Sequence, residues 1–98
     1  MTFKIKFTKD SLQDYEKLDN SQKIHIRKSM LKIEQSGMQT GQQLRGKLAD
    51  CRKLKHKKLG LRVVFRQSDL GIEIIEIIVV GKRDDEEVYQ LAERRLGR

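Results

Sequence analysis

Residues 72–80, IEIIEIIVV, constrain the fold more than any other stretch of this chain. Seven of the nine are apolar and β-branched, a composition that crowds a helix and suits a pleated surface. The run is also far short of the roughly 18 apolar residues that a membrane span needs. Apolar on both faces, it reads as a central strand covered on both sides for much of its length.

The rest of the chain supplies the covers. Residues 3–7, FKIKF, alternate strictly, with Phe3, Ile5 and Phe7 inward and Lys4 and Lys6 outward, as in a half-buried strand. Thr8 can cap a short helix through about Asp19, with Leu12, Tyr15 and Leu18 at threefold spacing. Asn20 or Ser21 can cap a second helix to about Ser36, ended by Gly37 in the left-handed conformation. Its apolar residues fall on two sides, Ile26, Met30 and Ile33 on one, Ile24 and Leu31 on the other, which predicts packing on both the sheet and the neighbouring helix. Residues 37–50 read as a loop rich in Gln and Gly. A final helix, about Asp84 to Leu96, opens with four acids against the helix dipole. The order β-α-α-β-β-β-α over residues 1–98 predicts one α+β domain with a small, mostly antiparallel sheet.

The two middle strands form a hairpin, KLKHKKLGLRVVFR, residues 53–66, with its turn near Leu59-Gly60. Side chains alternate across a strand, so Lys53, Lys55 and Lys57 share one face of the first arm. Arg62 and Arg66 share one face of the second, while Leu61, Val63 and Phe65 point toward a core. Five cations with almost no acid on one sheet face call for a polyanion. The whole chain agrees: 98 residues carry 22 Lys and Arg against 14 Asp and Glu, a formal charge of +8. One cysteine, Cys51, excludes an internal disulfide and a Cys-based zinc cluster, and fits a reducing compartment. The start, MTFKIKFTKD, lacks the apolar core of a signal peptide. A soluble cytoplasmic protein, with no membrane association, is the expectation.

The segments LRG, DCRKLK and GLRVVF, followed by IIVVGKRDDEEVYQLAERRL, resemble the RelE family of toxins within the RelE/ParE superfamily, over about residues 3 to 96. The resemblance implies the toxin of a type II toxin–antitoxin system, a ribosome-dependent endoribonuclease that cuts mRNA in the ribosomal A site. It implies an acidic, RelB-like cognate antitoxin that holds the toxin inactive, operator DNA reached only through the antitoxin complex, and neither a cofactor nor a metal. Residue by residue, the LRG motif assigns Arg45 to the RNA-binding surface. The K-x-K motif places Lys53 and Lys55 at the scissile phosphate, and the motif after Gly60 places Arg62 there. The GKR…VY motif puts Arg83 at the reaction centre and Tyr89 against a base. Lys57 and Arg66, in phase on the same basic face, extend the RNA-binding surface. Arg52 and Leu61 stand where close relatives carry aromatics, but strand parity turns both away from Lys53, Lys55 and Arg62.

The residue types suit the chemistry. Cutting RNA without a metal requires a deprotonated 2′-hydroxyl, a stabilised phosphorane and a protonated 5′-oxygen. Lys53 or Lys55 can serve as the base only if neighbouring cations draw its pKa down toward neutrality. Arg62 is then the group on the transition-state charge, and Arg83 assists the leaving group. Arginine is a poor acid, so naked RNA should be cut slowly. A ribosome aligning the message could supply roughly 7–11 kcal/mol through orientation. His56 shares parity with Leu54 and reads as a half-buried structural histidine, and His25 as a surface residue. Two other readings stay open at this point: a ParE-type inhibitor of DNA gyrase without RNase activity, and a basic nucleic-acid-binding corepressor module.

Overall fold

The computed structural model describes residues 2–98. Its strand β5 (Ile74–Gly81) is an interior one, flanked by β1 (Lys4–Phe7), which runs parallel to it, and by β4 (Leu61–Gln67), which runs antiparallel. β3 (Cys51–His56) and β2 (Gln42–Gln43) continue the sheet in the order β1-β5-β4-β3-β2. Helices α1 (Lys9–Glu16) and α2 (Asn20–Ser36) follow β1, and α3 (Asp85–Arg95) follows β5. The expected α+β class and mostly antiparallel sheet are both present.

Each sheet face has its own core. On one, Ile26, Met30 and Ile33 of α2 pack against Leu61, Val63, Phe65, Ile75, Ile77 and Val80. On the other, Val88 and Ala92 of α3 join Leu44 and Leu48 over Cys51, Val64, Ile78 and Val79. Strict alternation could not serve both cores. The pairing of β4 with β5 shifts between Val64, opposite Val79, and Phe65, opposite Ile77. The additional residue puts Ile78 and Val79 on the α3 side, while Ile75, Ile77 and Val80 face α2.

Local structure departs from the sequence expectations where capping or turn closure competes with periodicity. The residue that caps α2 is Asp19, its Oδ1 accepting from the Gln22 backbone at 2.8 Å, so α1 ends at Glu16. In α1, Ser11 is buried and Leu12 exposed, because Ser11 and Thr8 bond each other's backbone N–H at 2.9 and 3.1 Å. Ile24 and Leu31, expected against a neighbouring helix, lie half exposed on the outer side of α2. Residues 37–50 include the edge strand β2, which pairs with Lys53 and Arg52. Ile72 sits outside β5 and is 75% exposed, because the Ser68 N–H closes the preceding turn onto Ile74 O at 2.9 Å. Gly37 does end α2 with positive φ, and a Cβ there would lie 2.6 Å from the Phe3 ring.

Beyond Phe7, β5 has no strand beside it on the β1 side among the described residues. Side chains satisfy the backbone there: Val80 N–H donates to Asp14 Oδ2 at 3.1 Å, and Ile78 O accepts from Arg95 Nη1 at 2.9 Å. The Asp14 carboxylate and Arg95 guanidinium pair through two bonds, at 2.6 and 3.0 Å, and are mostly shielded from water. One ion pair thus ties α1 to α3 and closes the sheet. Asp14→Ala leaves the Val80 N–H without its acceptor and Arg95 with only the Ile78 carbonyl, and should lower stability by about 3 kcal/mol in urea unfolding. A loss below about 1 kcal/mol would mean that water replaces the carboxylate at little cost.

Candidate functional site: a cationic face beneath helix α3

Register builds the site. Lys55 and Arg62 are direct cross-strand partners on the sheet face that α3 covers. Like charges placed opposite one another destabilise a sheet unless an anion sits between or above them. Lys53, two pairs along and opposite Val64, shares this face and is 7% exposed. Its Nζ donates to the Tyr89 hydroxyl at 2.8 Å, lies 5.4 Å from the centre of that ring, and is 3.2 Å from Asp85 Oδ1. Arg62 reaches the same carboxylate oxygen through Nε at 2.5 Å. Its Nη1 donates to Gly60 O at 3.0 Å and to Arg83 O. Gly60, with φ +66°, makes the turn that brings its carbonyl within reach.

Lys53, Lys55, Arg62 and Tyr89 are therefore gathered in one place, with the Arg83 backbone beside them. The Arg83 side chain is exposed on the short connection to α3, with no partner among the described residues. Arg45 and Tyr89 border a single pocket of about 250 Å³, shared with Gln42, Leu48 and Glu93. Lys57 lies past the end of β3, exposed in the turn. Arg66 is not brought to the group. Paired with Cys51 at the far end of the hairpin, it donates to Asp50 and Glu76 at 3.2 Å and to Asp69 at 3.3 Å. The face is thus less purely basic than parity implied: acids from outside the hairpin meet its cations at both ends.

The departures sit where parity put them. Leu61 is buried in the α2-side core, and Arg52 donates to the Thr40 and Gly41 carbonyls at 2.8 and 2.7 Å. His56 is half buried against His25, ring centres 4.3 Å apart, so His25 is less exposed than its helical context predicted. Cys51 is fully buried, and burial together with Asp50 pushes its thiol up to about 11, which keeps it protonated and inert at neutral pH.

Asp85 is the site residue that sequence reasoning missed. The four acids at the start of α3 looked alike as partners of the helix dipole. Only Asp84 caps the helix, its Oδ1 accepting from Glu87 N–H at 2.9 Å. Asp85, one residue on, turns to Lys53 and Arg62 instead. Asp85 also alters the expected lysine chemistry. Burial acts to lower the Lys53 pKa, but the hydrogen bonds to Tyr89 and Asp85 outweigh it and the net shift is upward. The fall toward neutrality that a lysine base requires is not found at Lys53, because its immediate neighbours are acceptors rather than cations. Lys53 should titrate above an ordinary lysine when followed by NMR at its Cε. Tyr89→Phe, which removes one acceptor, should move that titration down; no movement would mean the hydroxyl bond carries no weight.

The geometry can be set beside known proteins. No protein-family model matches the chain. A RelE-like toxin protein of Escherichia coli is 33% identical over 98% of this chain and 99% of its own length. The mRNA interferase toxin RelE of Escherichia coli K12 is 29% identical over the same shares. The structure of a doubly arginine-substituted Escherichia coli RelE in the free state superposes with a TM-score of 0.81, at 28% identity, covering 98% of this chain and 99% of that one. The same mutant toxin in complex with an antitoxin peptide, RelBc, gives 0.70 at 26% identity, covering 94% and 95%. Identity at this level along nearly the whole of both chains, joined to the same fold, shows that the chain belongs to the RelE family of toxins.

Proposed function

We propose that this protein is a ribosome-dependent mRNA endonuclease, the toxin of a toxin–antitoxin pair. The observation that carries the reading is the cross-strand pair Lys55 and Arg62, with Lys53 and Tyr89 beside it: like charges facing each other, as in a seat for an anion. A relative named mRNA interferase supplies the class of anion, an RNA phosphodiester.

In this reading Lys53, held protonated, and Arg62 stabilise the charge of the phosphorane. Lys55, exposed and without a partner among the described residues, is the base for the 2′-hydroxyl proton. The attack needs no metal: the 2′-oxygen bonds to phosphorus and the 5′-oxygen leaves. Arg83 stands on the leaving-group side, and its weakness as an acid makes the reaction depend on ribosomal alignment. Tyr89 stacks on a base, with Arg45 across the pocket on the flanking phosphates. Lys57 adds to the basic approach. Arg66, committed to three carboxylates, contributes to RNA binding only if RNA displaces them.

The partner is an acidic antitoxin segment that folds as it binds, as charge complementarity to a +8 chain requires. Ile24 and Leu31, two turns apart on the outer side of α2, offer it an apolar footing. Operator DNA is then reached only through that complex.

Mapping mRNA 5′ ends after incubation with programmed ribosomes tests the reading: cuts within the A-site codon are expected, and an intact message would overturn it. Arg62→Ala, its fold checked by circular dichroism, should still bind ribosomes and cut about 10²–10³ times more slowly in single turnover. Lys57→Ala should lose much less. Near-native rates for Arg62→Ala would remove Arg62 from the chemistry.

A further inference from the structure

We infer that Asp85 is a built-in anion that occupies the phosphate seat of the unliganded protein and must be expelled before a phosphodiester can be gripped. The inference rests on the reading of Lys53 and Arg62 as that seat, and concerns how the seat is guarded.

The argument comes from the donors of Arg62. A guanidinium grips a phosphate through one of two edges, either Nε with Nη2 or Nη1 with Nη2. Nη1 is committed to the Gly60 and Arg83 carbonyls, which removes the second edge. Nη2 has no partner among the described residues, but Nε is bonded to Asp85 Oδ1 at 2.5 Å, which closes the first. The same oxygen lies 3.2 Å from Lys53 Nζ, so one carboxylate engages both cations that a phosphate would need.

Asp85 is also placed to leave. It sits at the first position of α3, and Asp84 rather than Asp85 caps the helix. Its side chain is 41% exposed, so a rotamer change carries the carboxylate into water without breaking a backbone bond. Asp85 stays ionised while it is in place. Burial works against the charge, but the hydrogen bonds from Arg62 and Lys53 dominate and lower its pKa. An incoming phosphodiester therefore competes with a charged internal ligand, then inherits an arginine already aimed by two carbonyls. Stray anions meet a filled seat, whereas RNA held at high local concentration by the exposed cations can displace it.

The test uses the whole free protein and a fluorescent 2′-O-methyl RNA trinucleotide, which can bind but lacks the nucleophile. Asp85→Asn should bind the probe about tenfold more tightly than wild type. Combining it with Arg62→Ala should abolish the gain. In Asp85→Asn, the Lys53 titration followed by NMR should move down, a change that a purely structural ion pair elsewhere would not produce. If Asp85→Asn and Asp85→Ser are both folded and bind the probe no better than wild type, the inference is wrong. The nuclease reading fails separately. Wild-type protein that leaves the message whole on programmed ribosomes, beside an Asp85→Asn variant with the tenfold gain, would remove the nuclease and keep the guarded seat. Cleavage by wild type without that gain would remove the guarded seat alone.

Discussion

Between Val64 and Phe65 of β4 the pairing with β5 slips by one residue, and both hydrophobic cores depend on that slip. A strand of period two offers each face every second side chain. The α3 core needs Ile78 and Val79 in succession, and the α2 core needs Ile75, Ile77 and Val80. The bulge reconciles these demands by changing phase once, at the middle of the strand. It leaves backbone groups at Ile78 and Val80 near an edge that β1 no longer covers, and Arg95 and Asp14 from the two helical layers meet them. Past the slip, Gly81 stands opposite Arg62, at the point where the chain turns through Arg83 into α3. The phase of β5 thus decides where α3 starts, and with it where Asp84, Asp85 and Tyr89 lie relative to the hairpin.

The cations of this basic chain divide into two populations. Lys53, Arg62, Arg66 and Arg95 are held by named acceptors, several of them carboxylates. Arg45, Lys55, Lys57 and Arg83 are exposed, without side-chain partners among the described residues. The held cations keep fixed directions and cost little reorganisation when an anion arrives. The exposed ones create the long-range field that draws a polyanion in, and salt weakens them first. At the site the two kinds are interleaved, Lys53 beside Lys55 along β3 and Arg62 directly across from Lys55. At the other end of the hairpin each nitrogen of the Arg66 guanidinium meets an acid, and that end is a structural clasp between β4, β5 and the loops.

Much of this was legible in one dimension. The period-two runs FKIKF and LRVVFR and the largely apolar IEIIEIIVV determined the strands, because side-chain alternation is a local consequence of backbone geometry. The same parity put Lys53, Lys55 and Arg62 on one face and turned Arg52 and Leu61 off it, whatever the strands later packed against. Helix ends were harder. The sequence offered Asn20 and Ser21 as caps of α2, whereas Asp19 caps it, in a reciprocal capping box with Gln22 that the pattern of apolar residues does not signal.

Only tertiary structure decided what parity cannot encode: distances between residues far apart in sequence. Parity puts Arg66 in phase with Arg62 but is blind to Asp50, Asp69 and Glu76, which arrive from two loops and the next strand. The bulge in β5 has no signal in a run of similar β-branched residues, since Ile77, Ile78 and Val79 would each pack on either face. Lys53 looked like a lysine among cations because its sequence neighbours are cations. In the fold its nearest polar atoms are the Tyr89 hydroxyl and the Asp85 carboxylate, 36 and 32 positions along the chain, and these set its charge. Local sequence determined which side chains face which way; the packing of α3 on the sheet decided which of them meet.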